Sequence, residues 1–238
     1  MKWLSKNSKD LVVDIHSHLI PGIDDGAPTV DESLEMILQL KESGFKKLIT
    51  TPHIHPRFPN TNRKIMSGLE SLKDALKEKS IEIAIEAAAE YYIDDQFISL
   101  LNEGHEFLTF GDKCILIECS FVSKPFFLES VIYQLKDAGY APVFAHPERY
   151  KFLEGEIGWL KEIKSTGILF QVTLGSLGGY YGTAPRKLGL EIVKNGMVDF
   201  LGSDLHKASQ VDFLRKGLKL RAVQKLLESD SLLNHNLL

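Results

Sequence analysis

Only two cysteines occur in these 238 residues, Cys114 and Cys119. They lie on or beside one apolar run, where alternation puts them on opposite faces or at its end. No disulfide framework is expected, and the usage fits a reducing, cytoplasmic compartment. Neither cysteine has an arginine six positions downstream, which excludes a C-x5-R phosphatase loop. A G-x-x-x-x-G-K-[ST] phosphate loop is also missing. Gly175-Ser176-Leu177-Gly178 does not match the G-x-S-x-G nucleophile elbow, and its glycines read as a flexible loop near a site. No run of about 18 apolar residues exists, so no transmembrane helix is expected. Met1–Asp10 is polar and does not read as a signal peptide. The net charge is −4 with no sustained basic stretch, which gives no support for a nucleic-acid or membrane-surface partner.

What the chain does have is alternation. Apolar content of 44% suffices for a core. Strand-like runs are expected near 11–16, 46–51, 81–89, 113–119, 141–146, 167–173 and 198–203. Helical patterns fall near 30–43, 62–79, 125–138, 156–166, 185–195 and 208–228, with a shorter one near 94–103. Such alternation reads as α/β, a parallel sheet or barrel of βα units. No linker or strong repeat divides the chain, so residues 1–238 are expected to form one domain. In the first helix, Thr29 and Glu32 fit a capping box, and Val30, Leu34, Ile37 and Leu38 form an apolar stripe. Gly44, Gly139 and Gly196 are natural helix stops.

Nine candidate metal ligands are spread over these runs, most of them where a strand gives way to a loop. They are His16, His18, Asp25, His53, Glu90, Glu118, His146, Asp204 and His206. Parallel α/β folds gather their sites at the carboxyl ends of strands. Histidines and carboxylates collected there hold divalent ions and point to metal-assisted hydrolysis. His16-Ser17-His18 and Asp204-Leu205-His206 alternate, so each pair can turn two donors to one face. Asp204 alone would also serve as a helix cap. Glu90 closes the run from Ile81 to Ala89, where an unpaired carboxylate is costly. Arg149, in His146-Pro147-Glu148-Arg149, can grip phosphate oxygens, or it can pair with Glu148 or another acid. Arg57 and Arg186 are weaker phosphate-binding candidates. His55, His105 and His235 read as ordinary histidines. Tyr91, Tyr92, Tyr180 and Tyr181 fit either a substrate entrance or aromatic packing.

The motifs Asp14-Ile15-His16-Ser17-His18, Ile23-Asp24-Asp25-Gly26, Thr51-Pro52-His53, Ala89-Glu90-Tyr91-Tyr92, Leu116-Ile117-Glu118, Ala145-His146-Pro147-Glu148-Arg149 and Gly202-Ser203-Asp204-Leu205-His206 occur in that order over residues 11–210. Together they resemble the polymerase and histidinol phosphatase (PHP) superfamily, and within it the bacterial capsule-type protein tyrosine phosphatases of the CpsB/CapC group. The resemblance implies a distorted (β/α)7 TIM-like barrel with a trinuclear, manganese-dependent centre. It would place His16, His18, Glu90 and Asp204 on one ion and Glu90, Glu118 and His146 on a second. Asp25, His53 and His206 would hold the third. It implies a tyrosine-phosphorylated kinase controlling capsular or exopolysaccharide synthesis or export as substrate. The chain departs from the pattern in about ten residues before the first motif, and in Thr173, where Asn is expected.

The expected activity is a metal-dependent protein tyrosine phosphatase. Arg149, His53 and His206 are its catalytic candidates. Arg149 would stabilise the transferring phosphoryl group, and a protonated histidine or a metal would assist the leaving phenol. Imidazole and carboxylate ligands also suit Fe or Zn. Two alternatives stay open on the residues alone. One is another PHP phosphoesterase, such as a histidinol-phosphate phosphatase or a nuclease. The other is a non-catalytic metal-binding or kinase-docking module.

Overall fold

The computed structural model describes residues 10–229 and 231–238. The N-terminal extension is thus outside the described residues, apart from Asp10. Nine strands are described: β1 Val13–Asp14, β2 Lys47–Thr50, β3 His53–Ile54, β4 Ala84–Ala87, β5 Glu90–Tyr92, β6 Cys114–Glu118, β7 Ala141–Ala145, β8 Leu169–Thr173 and β9 Phe200–Gly202. The helices are α1 Val30–Glu42, α2 Asn62–Glu78, α3 Asp95–Asn102, α4 Leu128–Asp137, α5 Ile157–Ser165, α6 Leu174–Gly178, α7 Thr183–Lys194, α8 Val211–Leu218 and α9 Arg221–Glu228.

Every strand pair is parallel, in two sheets ordered β1-β2-β4 and β3-β5-β6-β7-β8-β9. β2 and β3 are one strand interrupted at Pro52, which has no amide to give the ladder. β4 and β5 are interrupted alongside them. Backbone bonds carry the pairing across the break, from Ala88 N–H to the Thr50 carbonyl (2.9 Å) and from Glu90 N–H to the Pro52 carbonyl (3.2 Å). At the far edge β9 returns to β1. Ser17 bridges Leu205 in parallel, and the Asp204 amide donates to the His16 carbonyl at 2.7 Å. The result is a distorted seven-stranded α/β barrel.

Alternation along the strands divides the core. Val13, Ile15, Ile49, Ala88, Cys114, Leu116, Val143, Ala145 and Phe200 form one buried cluster. Their neighbours, among them Leu48, Ile115, Ile117, Phe144, Phe170, Val172 and Leu201, pack in the second, larger cluster with the helices. Cys114 and Cys119 fall in different clusters, both unpaired.

Several sequence expectations are corrected. Glu90 does not close the 81–89 run; it opens β5, because the break at Pro52 is matched on the neighbouring strand. The pattern over 208–228 is not one helix: a 3-10 turn at Ala208–Gln210 precedes α8, and α9 follows a break around Lys219 and Leu220. In α1, Val30 and Leu38 are exposed, and the buried face is Ser33, Leu34, Met36, Ile37 and Leu40. Thr29 does cap α1 by accepting from the Glu32 amide. The segment 174–178 is not a loop but the buried helix α6. There a Cβ on Gly178 would stand 1.9 Å from the Phe213 carbonyl, so glycine lets α6 lie backbone-to-backbone on α8.

Candidate metal centre

All nine candidate ligands come together at one end of the barrel. Glu118 is the last residue of β6, and His146 follows β7 directly. His16 and His18 follow β1, Asp204 and His206 follow β9, and Asp25 lies on the loop before α1. His53 and Glu90 are the first residues of β3 and β5 and are register partners across that pair. His146 and Asp204 have φ of 35° and 50°, left-handed conformations that non-glycine residues adopt at a cost. The turn off each strand therefore aims the side chain at the barrel mouth. Gly202 is needed beside them, since a Cβ there would stand 2.9 Å from the His16 Cβ.

Glu90 is at the centre. Its Oε2 lies 3.2 Å from His16 Nε2, 3.4 Å from His18 Nε2 and 3.1 Å from His53 Nδ1, while Oε1 lies 2.9 Å from His146 Nε2. Asp204 Oδ1 faces His16 at 3.5 Å and His206 Nδ1 at 3.4 Å. Asp25 Oδ1 faces His53 Nε2 at 3.3 Å and His206 Nε2 at 3.5 Å. Four overlapping groups have their donor atoms within 4.8 Å of one another: His18, Asp25, His53 and His206; His16, His18 and Asp204; His16, Glu90 and His146; His53, Glu90 and Glu118. His53 is shared, since it faces both Asp25 and the Glu90–Glu118 pair.

The donor set fits divalent cations. Glu90 Oε2, Asp204 Oδ1, His53 Nδ1 and His146 Nδ1 are buried without a hydrogen-bond partner. Orphaned polar atoms in such a place are costly, and a shared cation removes that cost for those that face the cluster. The surroundings also set tautomers. The Gln171 side-chain carbonyl accepts from His16 Nδ1–H at 2.8 Å, and Asp24 accepts from His18 Nδ1–H at 2.8 Å. Both histidines then present Nε2 as a lone pair to the centre. His146 is held towards its neutral form, by burial first and then by the Arg149 charge. Burial opposes the charged form of His18, yet Asp24 and Glu90 lift it to about 9. Protons therefore compete with cations for this site.

Arg149 adjoins the cluster. Its guanidinium pairs with Asp204 Oδ2, not with Glu148. Glu148 instead accepts from the Thr173 amide at 2.9 Å, and burial pushes its carboxyl up to about 7. The guanidinium lies 4.1 Å from the Tyr181 ring centre and 4.8 Å from that of Phe121. Tyr181 Oη is 3.2 Å from Asp204 Oδ2. Phe121 stacks on His146, with ring centres 5.4 Å apart.

The other tyrosines separate. Tyr91 is buried against Phe97 and Phe107, so it belongs to the core. Tyr92 edges on His55, and Tyr180 packs on Phe213. Arg57 is exposed. Arg186, also exposed, gives its Nε–H to the Leu177 carbonyl at 3.1 Å. Sequence reasoning missed Gln171 and Phe121, and gave Asp24 and Asp14 no role. Asp14 accepts from the Ser203 amide and hydroxyl and ties β1 to the turn carrying Asp204. A polar residue inside an apolar run, as Asp14 and Gln171 are, was the available signal.

Residues 12–224 match the family described as "Capsular polysaccharide synthesis, CpsB/CapC". The chain belongs to the CpsB/CapC family. It is 32% identical to CapC of Staphylococcus aureus, over 92% of this chain and 88% of that one. It is 30% identical to the tyrosine-protein phosphatase YwqE of Bacillus subtilis, over 85% and 80%. A solved structure from work on YwqE and Streptococcus pneumoniae CpsB, described as metal-dependent tyrosine phosphatases, superposes with TM-score 0.82. That match covers 95% of this chain and 91% of the other at 28% identity. A solved chain from Acinetobacter baumannii shares the fold alone, with TM-score 0.55 and 14% identity. The CpsB/CapC match spans all nine cluster residues and Arg149. Among the described residues no helix is long and apolar enough to cross a membrane.

Proposed function

We propose that this chain is a metal-dependent protein tyrosine phosphatase. The observation that carries the reading is the nine-donor cluster with a fixed guanidinium at its edge. Bound divalent ions, manganese in this reading and up to three, would supply Lewis acidity and an acidified water. His16, His18, Asp25, His53, Glu90, Glu118, His146, Asp204 and His206 would hold them, with Glu90 shared. Arg149 meets the phosphoryl oxygens as charge builds on them. Its geometry is prepared in advance by Asp204, Tyr181 and Phe121. Arg57 and Arg186 would act only on the outer parts of a substrate.

Depth favours tyrosine. His16, His18 and Glu90 are fully buried, and Asp204 is 1% exposed. A phosphate on a short serine side chain would have to bring its backbone into the barrel mouth. A phosphotyrosine reaches further on a rigid ring. Its phenol, with a pKa near 10, also departs more readily than an alkoxide. One nitrogen cannot hold a cation and a proton together, so we assign His53 and His206 to ligation first. The family description and the named relatives support a substrate in capsule synthesis, and a tyrosine-phosphorylated kinase is the partner proposed here. Buried, unpaired Cys114 and Cys119 support a cytoplasmic site of action.

The test is phosphate release from one peptide carrying phosphotyrosine or phosphoserine, with and without added Mn²⁺. Mn²⁺-dependent release from the phosphotyrosine form is expected. No release, or equal release from the phosphoserine form, would sink the reading.

A further inference from the structure

Beside Arg149 lies an open cavity of about 450 Å³, lined by Phe121, Arg149, Lys151, Tyr181, Ala184 and Pro185 among others. Two aromatic rings, a proline ring and a methyl group give it apolar wall, and Lys151, Glu154 and Thr183 add polar groups to the lining. Its inner polar element, Arg149, is also the group that pairs with Asp204 at the edge of the donor cluster. The cavity and the candidate centre are therefore joined through one guanidinium. A molecule with an anionic head on Arg149 and the cluster has its next atoms beside these walls.

The walls are held in place. Phe121 is fixed by stacking on His146 and by Tyr150 at 5.3 Å. Its carbonyl accepts from the Lys151 amide at 2.9 Å. Tyr181 is fixed through its hydroxyl on Asp204 and by the edge of Tyr180 at 4.8 Å. Both rings also flank the guanidinium, which keeps it extended between them. An apolar wall that is already ordered loses little freedom when it meets a ligand.

We infer that this cavity is an aryl subsite: it receives the ring of an aryl phosphate whose phosphoryl group meets Arg149 and the cluster. The assignment rests on the phosphatase reading above and adds where selectivity for an aromatic ester resides. Tyr181 and Phe121 have two tasks in it, holding Arg149 and presenting ring surface. Ala184 and Pro185, at the start of α7, form the outer wall and touch no cluster residue in any described hydrogen bond or ion pair.

Binding of phosphonates, which are not hydrolysed, separates the subsite from turnover. Phenylphosphonate, methylphosphonate and inorganic phosphate are titrated calorimetrically into the full chain loaded with Mn²⁺. Phenylphosphonate is expected to bind at least about tenfold more tightly than methylphosphonate, a difference of about 1.4 kcal/mol. Ala184→Trp, which fills the cavity from its outer wall, is expected to reduce that ratio to about threefold or less. Ala184→Leu should give an intermediate ratio, and circular dichroism with metal analysis checks that both variants fold and load. Equal binding of the two phosphonates by the parent chain overturns the subsite while leaving the phosphate site standing. A phenyl preference unchanged in folded Ala184→Trp overturns its location. If not even inorganic phosphate binds, the phosphate site itself fails, and the subsite falls with it.

Discussion

Arg149 holds Asp204 by the oxygen that the histidines leave free. Asp204 Oδ1 faces His16 and His206, while Oδ2 takes the guanidinium. One carboxylate thus joins the candidate metal centre to the guanidinium proposed to meet phosphate. Burial would raise its pKa, but Arg149 and His16 hold it well below the usual carboxylate range. Asp204 is therefore held towards its ionised form.

Arg149→Ala is expected to weaken catalysis while metal content stays near that of the parent chain, since Oδ1 keeps its facing histidines. Losing one charge-assisted contact to the transferring group should cost about 2–4 kcal/mol in kcat/KM on a phosphotyrosine peptide. Arg149→Lys should restore only part of it, because an ammonium lacks the bidentate fork. Steady-state kinetics beside elemental analysis decides the matter. Unchanged kcat/KM, or loss of metal to the extent seen in His16→Ala, would make the phosphate role wrong.

The two cysteines should be dispensable. Burial pushes the Cys114 thiol up to about 11 and the Cys119 thiol up to about 12, so neither is a thiolate at neutral pH. The Cys114→Ser, Cys119→Ser double variant should keep most phosphatase activity. In the native parent, iodoacetamide at pH 8 should label neither thiol, whereas in denaturant it should label both. Rapid native labelling, or a folded double variant without turnover, would contradict this.

Much of the site was legible because its residues mark strand ends. Apolar runs such as Cys114–Ile117 and Ala141–Ala145 announce buried parallel strands, and the polar residue that follows each one, Glu118 or His146, stands out. The breaks at Pro52 and Ala88–Ala89 were less legible, because an apolar run does not show where its regular ladder is interrupted in step with its neighbour. That Arg149 pairs with an acid was a legible option, but that the acid is Asp204 was out of reach. The pairing joins residues 55 positions apart and depends on the left-handed turns at His146 and Asp204. The short helix α6 was hidden by its glycines, which serve contact with α8 rather than flexibility.

Purified chain should carry more than one cation. Nine donors in four overlapping groups exceed what a single tetrahedral ion takes. Elemental analysis after Mn²⁺ reconstitution should return a stoichiometry above one. Glu90→Ala should lower metal content more than Asp25→Ala, because Glu90 is fully buried and faces four histidines, whereas the Asp25 side chain is 55% exposed at the rim. A ratio at or below one in the reconstituted parent, or the reverse order of the variants, would count against a multinuclear centre.

The last expectation concerns Asn234, which lies beyond the segment that matches the CpsB/CapC family. It is 1% exposed and sits in the seam between β1 and β9. Its Oδ1 accepts from the Leu201 amide at 3.0 Å, and its Nδ2 donates to the Val13 carbonyl at 3.0 Å and the Leu201 carbonyl at 2.8 Å. One side chain thereby supplies the ladder bonds that β1 and β9 do not make with each other at that level. His16 and His18 leave the far end of β1, and Asp204 and His206 leave β9, so the register of the seam sets how the two pairs meet. Asn234→Ala removes three hydrogen bonds and orphans buried backbone groups, which should cost roughly 2–4 kcal/mol of stability. Asn234→Asp retains an acceptor for the Leu201 amide but cannot donate to the carbonyls, so it should not rescue. Thermal melts with and without Mn²⁺ check this: the variant should melt lower in both and gain less from the ion than the parent does. An equal gain from Mn²⁺ would mean that Asn234 holds the barrel shut without bearing on the ligands.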